Sequence, residues 1–117
     1  MNAVSTGPRP GTDAGTLTSL AALGDGQGGF TIEPVQVRAP GPGEVRVALR
    51  AAGLCHTDHA SLRWPGPLVL GHEGAGVIES VGEGVAQSHP PLKPGRRVLL
   101  NWAIPCGQCL QCLRGVG

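Results

Sequence analysis

The sequence predicts a mostly β domain, a small and partly open barrel with short helical pieces. Glycine and proline are used heavily, 20 and 11 of 117 residues, and they fall between short apolar runs, where they act as turn punctuation. Several of those runs alternate apolar and polar residues with a period of two, the signature of half-buried strands. No strand–helix alternation accompanies them, so a parallel βαβ architecture is not expected.

Taken in order, residues 1–16 (MNAVSTGPRPGTDAGT) lack bulky hydrophobics and read as a disordered N-terminal tail, which leaves 17–117 as the folded domain. Residues 17–23 form a short apolar piece closed by a glycine-rich turn. Residues 30–37 read as a strand with Phe30, Ile32, Val35 and Val37 apolar; Pro34 confines it to an edge or an irregularity. Pro40-Gly41-Pro42-Gly43 marks the next turn.

The clearest strand covers 44–52 (EVRVALRAA). Val45, Val47, Leu49 and Ala51 share one face, and Glu44, Arg46, Ala48 and Arg50 the other. It delivers the chain to Cys55. Residues 57–62 fit one or two helical turns capped by Thr57 or Asp58, stopped by Pro65-Gly66-Pro67. A brief apolar run at 68–70 leads to Gly71-His72-Glu73, and 74–81 (GAGVIESV) reads as a strand. Residues 86–94, with three prolines, read as a loop, 97–102 as a strand, and the chain from Pro105 as a cysteine-bearing loop. The glycines of 71–76 precede a strand instead of following one and opening a helix, so they are not a dinucleotide-binding turn.

Nine basic and eight acidic side chains, with no like-charge run longer than two, give no electrostatic case for nucleic acid or an anionic membrane as partner. No apolar stretch is long enough to cross a bilayer, and 1–16 lacks the apolar block of a secretory signal, which leaves a cytoplasmic location as the expectation. Two disulfides are the ordinary reading of four cysteines. Bridging within a Cys-x2-Cys-x2-Cys run is awkward, however, and nothing points to export, so reduced thiols waiting for a metal fit better.

Two constellations carry chemistry. Cys106, Cys109 and Cys112 can converge on one soft ion; structural zinc leads, with an iron–sulfur cluster or no metal as rivals. The other is split between Cys55-His56-Thr57-Asp58-His59 and His72-Glu73. A thiolate and an imidazole from separate segments suit a catalytic zinc site with an open position. Asp58 could hold the far N–H of His72 and fix its tautomer, and the Thr57 hydroxyl could pass a proton. The plainer alternative is a buried free cysteine and surface histidines. Spacing alone does not pair Cys55 with His72.

These stretches resemble the catalytic domain of medium-chain, zinc-containing alcohol dehydrogenases, from about Thr18 to Gly117. The likeness rests on PGPGEVRVALRAAGLCHTD, LVLGHEGAGVIESVGEGV, KPGRRVLL and CGQCLQC. It implies a GroES-like barrel, with the Rossmann coenzyme domain missing from this chain. It implies Cys55 and His72 as catalytic zinc ligands, the third being a downstream cysteine not found here, with Glu73 as the acidic neighbour of the metal. Thr57 becomes the proton-relay hydroxyl, Asp58 the carboxylate behind the histidine, and His56 the basic residue at the coenzyme pyrophosphate. Cys106, Cys109 and Cys112 become three of four structural zinc ligands.

The cofactors implied are catalytic and structural zinc, with NAD or NADP in the full-length enzyme. The substrate is a small-molecule alcohol or aldehyde, the reaction hydride transfer from a primary or secondary alcohol to nicotinamide, and the full-length state a homo-oligomer. Cut before its coenzyme half, this polypeptide is expected to be inactive by itself. A relay histidine found in some relatives is Ala60 here, with His59 one place early, and the segment between Cys55 and His72 is shorter than usual. The competing class is a non-enzymatic GroES-like binding module, which would need none of these ligands.

Overall fold

The computed structural model describes residues 3–6 and 15–115. Among these residues seven strands form two sheets. β1 (Ala3–Thr6), β4 (Val45–Ala52), β6 (Gly74–Val81) and β7 (Arg97–Leu99) make a four-stranded sheet in the order β1-β4-β6-β7. β3 (Phe30–Val37), β2 (Leu17–Gly24) and β5 (Leu68–Val69) make a three-stranded sheet in the order β3-β2-β5. Short helices α1 (His56–Ser61), α2 (Val85–Ser88) and α3 (Leu110–Leu113) lie outside the strands. The fold is mostly β, as expected, and its sheets stay open without closing into a barrel. No Rossmann unit occurs among the described residues.

β2 and β3 pair antiparallel along their whole length, joined by the 25–29 turn. The turn is fastened by Asp25, whose Oδ1 accepts from the N–H of Gln27 at 2.7 Å and of Gly29 at 3.0 Å. Pro34 is tolerated because β3 is an edge strand. Further on, β4 and β6 form the longest ladder of the larger sheet, with register shifts between Arg46 and Val47 and between Leu49 and Ala51. The apolar core draws on both sheets: Val37 from β3, Val47 from β4, Ile78 from β6, and Val85 from α2.

Several details depart from the sequence reading. Strict alternation put Arg46 beside Glu44 on the face opposite Val47, yet Arg46 is as buried as Val47, at 1% exposure. The register shift next to it turns the backbone, and the guanidinium is satisfied there: Nε donates to Glu79 Oε2 at 2.8 Å and Nη1 to the Gly15 carbonyl at 2.7 Å. Ala51 is exposed, beyond the second shift.

Within the expected tail, Ala3–Thr6 runs parallel to β4 from Ala3 opposite Arg46 to Thr6 opposite Leu49, where it extends an otherwise open edge. Residues 86–94, expected as a loop, begin inside α2, which the burial of Val85 and the His89 N–H to Val85 carbonyl bond hold at one turn. β7 ends at Leu99 because Asn101 Oδ1 accepts from the Ala103 N–H at 3.0 Å and bends the chain away.

Candidate metal centres

β4 ends at Ala52, and three residues later Cys55 stands at the N-terminus of α1. The expected cap at Thr57 or Asp58 is displaced: Cys55 is the cap residue and Asp58 the third helical position. Asp58 Oδ2 accepts from the Cys55 N–H at 2.8 Å, and the Asp58 N–H reaches the Cys55 carbonyl at 3.0 Å. The carboxylate thus satisfies a donor that the helix start would leave orphaned.

His72 arrives from the other side, between β5 and β6. Its Nδ1 lies 3.1 Å from Asp58 Oδ1. An Nδ1–H donated to that carboxylate leaves the Nε2 lone pair free for a metal. Nε2 lies 3.8 Å from Glu73 Oε1. The Glu73 carbonyl accepts from the Gly53 N–H at 3.1 Å, so the strand-end before Cys55 and the strand-start after His72 are tied together.

The result is a three-donor cluster. One ligand atom each from Cys55, His72 and Glu73 lies within 4.8 Å of the others. Tetrahedral zinc with bonds of about 2.0–2.3 Å needs donor separations of about 3.3–3.8 Å, so modest side-chain rotation closes the set. Cys55 and His72 are half-buried and Glu73 is exposed, which leaves an approach from solvent. His56 and Thr57 occupy the first two positions of α1 and are exposed.

The cysteine run forms a second cluster. Cys109 Sγ is 3.5 Å from Cys112 Sγ, and Cys106 Sγ is 3.9 Å from Cys112 Sγ. These bracket the roughly 3.8 Å edge of a tetrahedral zinc–thiolate site. The loop expected here carries a single helical turn, α3, which starts after Cys109 and presents Cys112. Gly107 takes φ 74°, a left-handed turn that lets the chain curl back over Cys106. The Cys109 N–H donates to Cys106 Sγ at 3.3 Å. Backbone N–H groups of Gln108 and Cys109 pull the Cys106 thiol down to about 7.

The sequence-predicted residues therefore gather into two groups, Cys55, Asp58, His72 and Glu73 in one, and Cys106, Cys109 and Cys112 in the other. Asp58 stands behind His72 as the sequence suggested, and two details escaped that reading. Asp58 also accepts the Cys55 N–H, and Cys55-x-x-Asp58 has the spacing of a capping box, which could have revealed it. Gly53 matters through its closeness to Glu73; a lone glycine at a strand end carried no signal.

The model of the alcohol dehydrogenase GroES-like domain matches residues 41–116. Geraniol dehydrogenase of Carpoglyphus lactis is 40% identical over 116 residues, covering 90% of this chain and 29% of the relative. Alcohol dehydrogenase class-3 of Oryza sativa subsp. japonica is 44% identical over 93 residues, 74% of this chain and 23% of the relative. The solved structure of an alcohol dehydrogenase zinc-binding domain protein from Burkholderia ambifaria superposes with a TM-score of 0.75 at 42% identity, covering 86% of this chain and 27% of that one. The chain thus spans less than a third of the length of the relatives it matches. With sheet architecture, ligand spacing and these matches in agreement, the chain belongs to the alcohol dehydrogenase GroES-like domain family and corresponds to the N-terminal GroES-like domain of the medium-chain, zinc-type enzymes.

Proposed function

We propose that this chain is the catalytic-domain part of a zinc-dependent oxidoreductase that moves hydride between a primary or secondary alcohol and NAD or NADP. The observation that carries this reading is the convergence of Cys55, His72 and Glu73, from two separate connections, with Asp58 behind the imidazole. Cys55 and His72 would be two protein ligands of a catalytic zinc with an open position, with Glu73 beside it, and these residue types suit it. A bound zinc would supply Lewis acidity to the substrate oxygen.

The chain's own residues do the rest. Cys55 and His72 would hold the metal, and Asp58 keeps His72 in the Nδ1–H tautomer. Thr57 Oγ1 takes the alcohol proton and hands it outward, and His56 faces the coenzyme pyrophosphate. Glu73 would stand beside a bound metal. Cys106, Cys109 and Cys112 would hold a second, structural zinc. Nicotinamide as hydride acceptor is supported by solved relatives bound to NADH and to NADP. The coenzyme would sit on a further domain.

The test is a chimera in which this chain replaces the matching segment of the geraniol dehydrogenase. The expected result is alcohol-dependent reduction of nicotinamide, lost on Cys55→Ala and lowered at least tenfold on Thr57→Ala. A folded, zinc-loaded chimera without that activity would overturn the proposal.

A further inference from the structure

The two halves of the cysteine–histidine centre are joined by residues 62–71, and this connection is tied at both ends to the β2–β3 hairpin. Leu62 caps the C-terminus of α1, and its carbonyl accepts from the Gly28 N–H at 3.1 Å. Towards the other end, β5 pairs with β2 through Leu68 opposite Gly24 and Val69 opposite Leu23. The Leu70 N–H then donates to the Ala22 carbonyl at 2.9 Å, just before the chain reaches His72.

Between these bonds the hairpin and the connection meet backbone against backbone. A Cβ at Gly26 would stand 3.2 Å from the Trp64 carbonyl oxygen, and one at Gly66 would stand 2.6 Å from the Gly24 carbonyl oxygen. Neither contact involves a side chain that could swing aside, so a methyl group at either position pushes the connection off the hairpin. The displacement passes to the ligands through stiff links. Ser61, buried at the end of α1, donates its Oγ to the Asp58 carbonyl at 2.8 Å. Asp58 in turn holds both the Cys55 N–H and His72 Nδ1. A zinc site tolerates about 0.2 Å in each ligand distance, so even small shifts of the connection reach it.

We propose that the 25–29 turn is a positioning element of this metal centre. Gly26 and Gly66 are its positioning residues, because only glycine lets the hairpin and the connection close on each other there. Loosening that contact moves Cys55 and His72 apart without touching either ligand. The inference rests on the reading of Cys55 and His72 as zinc ligands. The thiols at 106, 109 and 112 form a separate cluster and serve as an internal reference.

The experiment follows iodoacetamide labelling of each cysteine in the reduced full chain as free zinc is raised, resolved by peptide mass spectrometry. Zinc should protect Cys55 in the wild type. Gly66→Ala should raise the zinc concentration that half-protects Cys55 by roughly tenfold or more, and Gly26→Ala by roughly threefold. Half-protection of Cys109 and Cys112 should stay where it is. Gly43→Ala is the matched control. Gly43 has φ 73° against 74° at Gly26, and a Cβ there meets nothing within 4 Å, so it carries the same backbone strain without the contact. It should leave Cys55 protection unchanged. Should Gly66→Ala lose its native circular dichroism, Gly26→Ala against Gly43→Ala decides alone. Equal Cys55 protection in those two variants, or a parallel shift at Cys109 and Cys112, would overturn this inference and leave the zinc assignment standing. Cys55 left unprotected by zinc in the wild type would instead overturn that assignment and the inference built on it.

Discussion

Asp58 Oδ1 lies 3.1 Å from His72 Nδ1 while its other oxygen accepts the Cys55 N–H at 2.8 Å, so one carboxylate aligns both members of the cysteine–histidine pair. Removing it should harm metal binding and helix start together. Asp58→Ala is expected to lower zinc affinity at this cluster by roughly 10–100-fold. Stability should fall by about 1 kcal/mol from the lost capping contact. Competition with a chromophoric chelator and urea unfolding measure the two effects. Unchanged zinc affinity would show that Asp58 does not orient His72.

Two glycines of this region should respond differently to alanine. A methyl group at Gly53 would run into the Glu73 carboxylate, the movable end of an exposed side chain. A methyl group at Gly76 would run into the Ala48 carbonyl, fixed in the β4–β6 ladder, and would press on Val47 at 2.8 Å. Gly76→Ala is therefore expected to cost about 1–3 kcal/mol or more as overpacking. Gly53→Ala should leave stability nearly unchanged and weaken metal binding instead, because Glu73 must swing aside. Denaturation curves and zinc titrations of both variants decide this, and the reverse order of effects would contradict it.

Much of this architecture could be read from the residues, for identifiable reasons. The bounds of β3 and β6 emerge at Phe30–Val37 and Gly74–Val81 because each alternating run is closed by glycine or proline on at least one side. Arg46 was out of reach: its partner Glu79 lies 33 residues away, and the register shift that buries it leaves no local trace. α2 is too short, at 4 residues, to show helical periodicity. At the site, residue types and helix position were legible around Cys55. Its pairing with His72 was not, because two connections meet only after β4 and β6 have paired; it came through the family likeness. The parallel addition of Ala3–Thr6 to β4 depends on a free strand edge, which composition does not report.

Glu44 gives the fold an acid-sensitive clasp. Arg38 holds it through two contacts, Nη1 to Oε1 at 2.5 Å and Nη2 to Oε2 at 2.8 Å, and the Gly41 N–H donates to Oε1 at 2.8 Å. Arg38 first and the Gly41 N–H second draw the carboxyl down from 4.5 to about 2. A carboxyl lowered on folding contributes stability that is complete above its unfolded value and lost as pH falls through its folded one. This contribution should therefore disappear between pH 4.5 and about 2. Urea midpoints across that window should drop less steeply in Glu44→Gln than in the wild type, and parallel slopes would rule the clasp out.

The cysteine run should show its order of ionisation in the metal-free chain. The N–H groups of Gln108 and Cys109, followed by the neighbouring thiols of Cys109 and Cys112, lower Cys106 from 9.0 to about 7. Only the thiolate is nucleophilic, so its alkylation rate follows its ionised fraction. Iodoacetamide labelling of the reduced, metal-free chain, resolved by peptide mass spectrometry, should give Cys106 a half-maximal rate near pH 7. Zinc should abolish the labelling by occupying the same sulfur lone pairs. A half-maximal rate near the ordinary thiol value of 9.0 would mean that the loop does not fold over Cys106 without metal, and that the N–H donors reach its sulfur only after an ion has gathered the three thiolates.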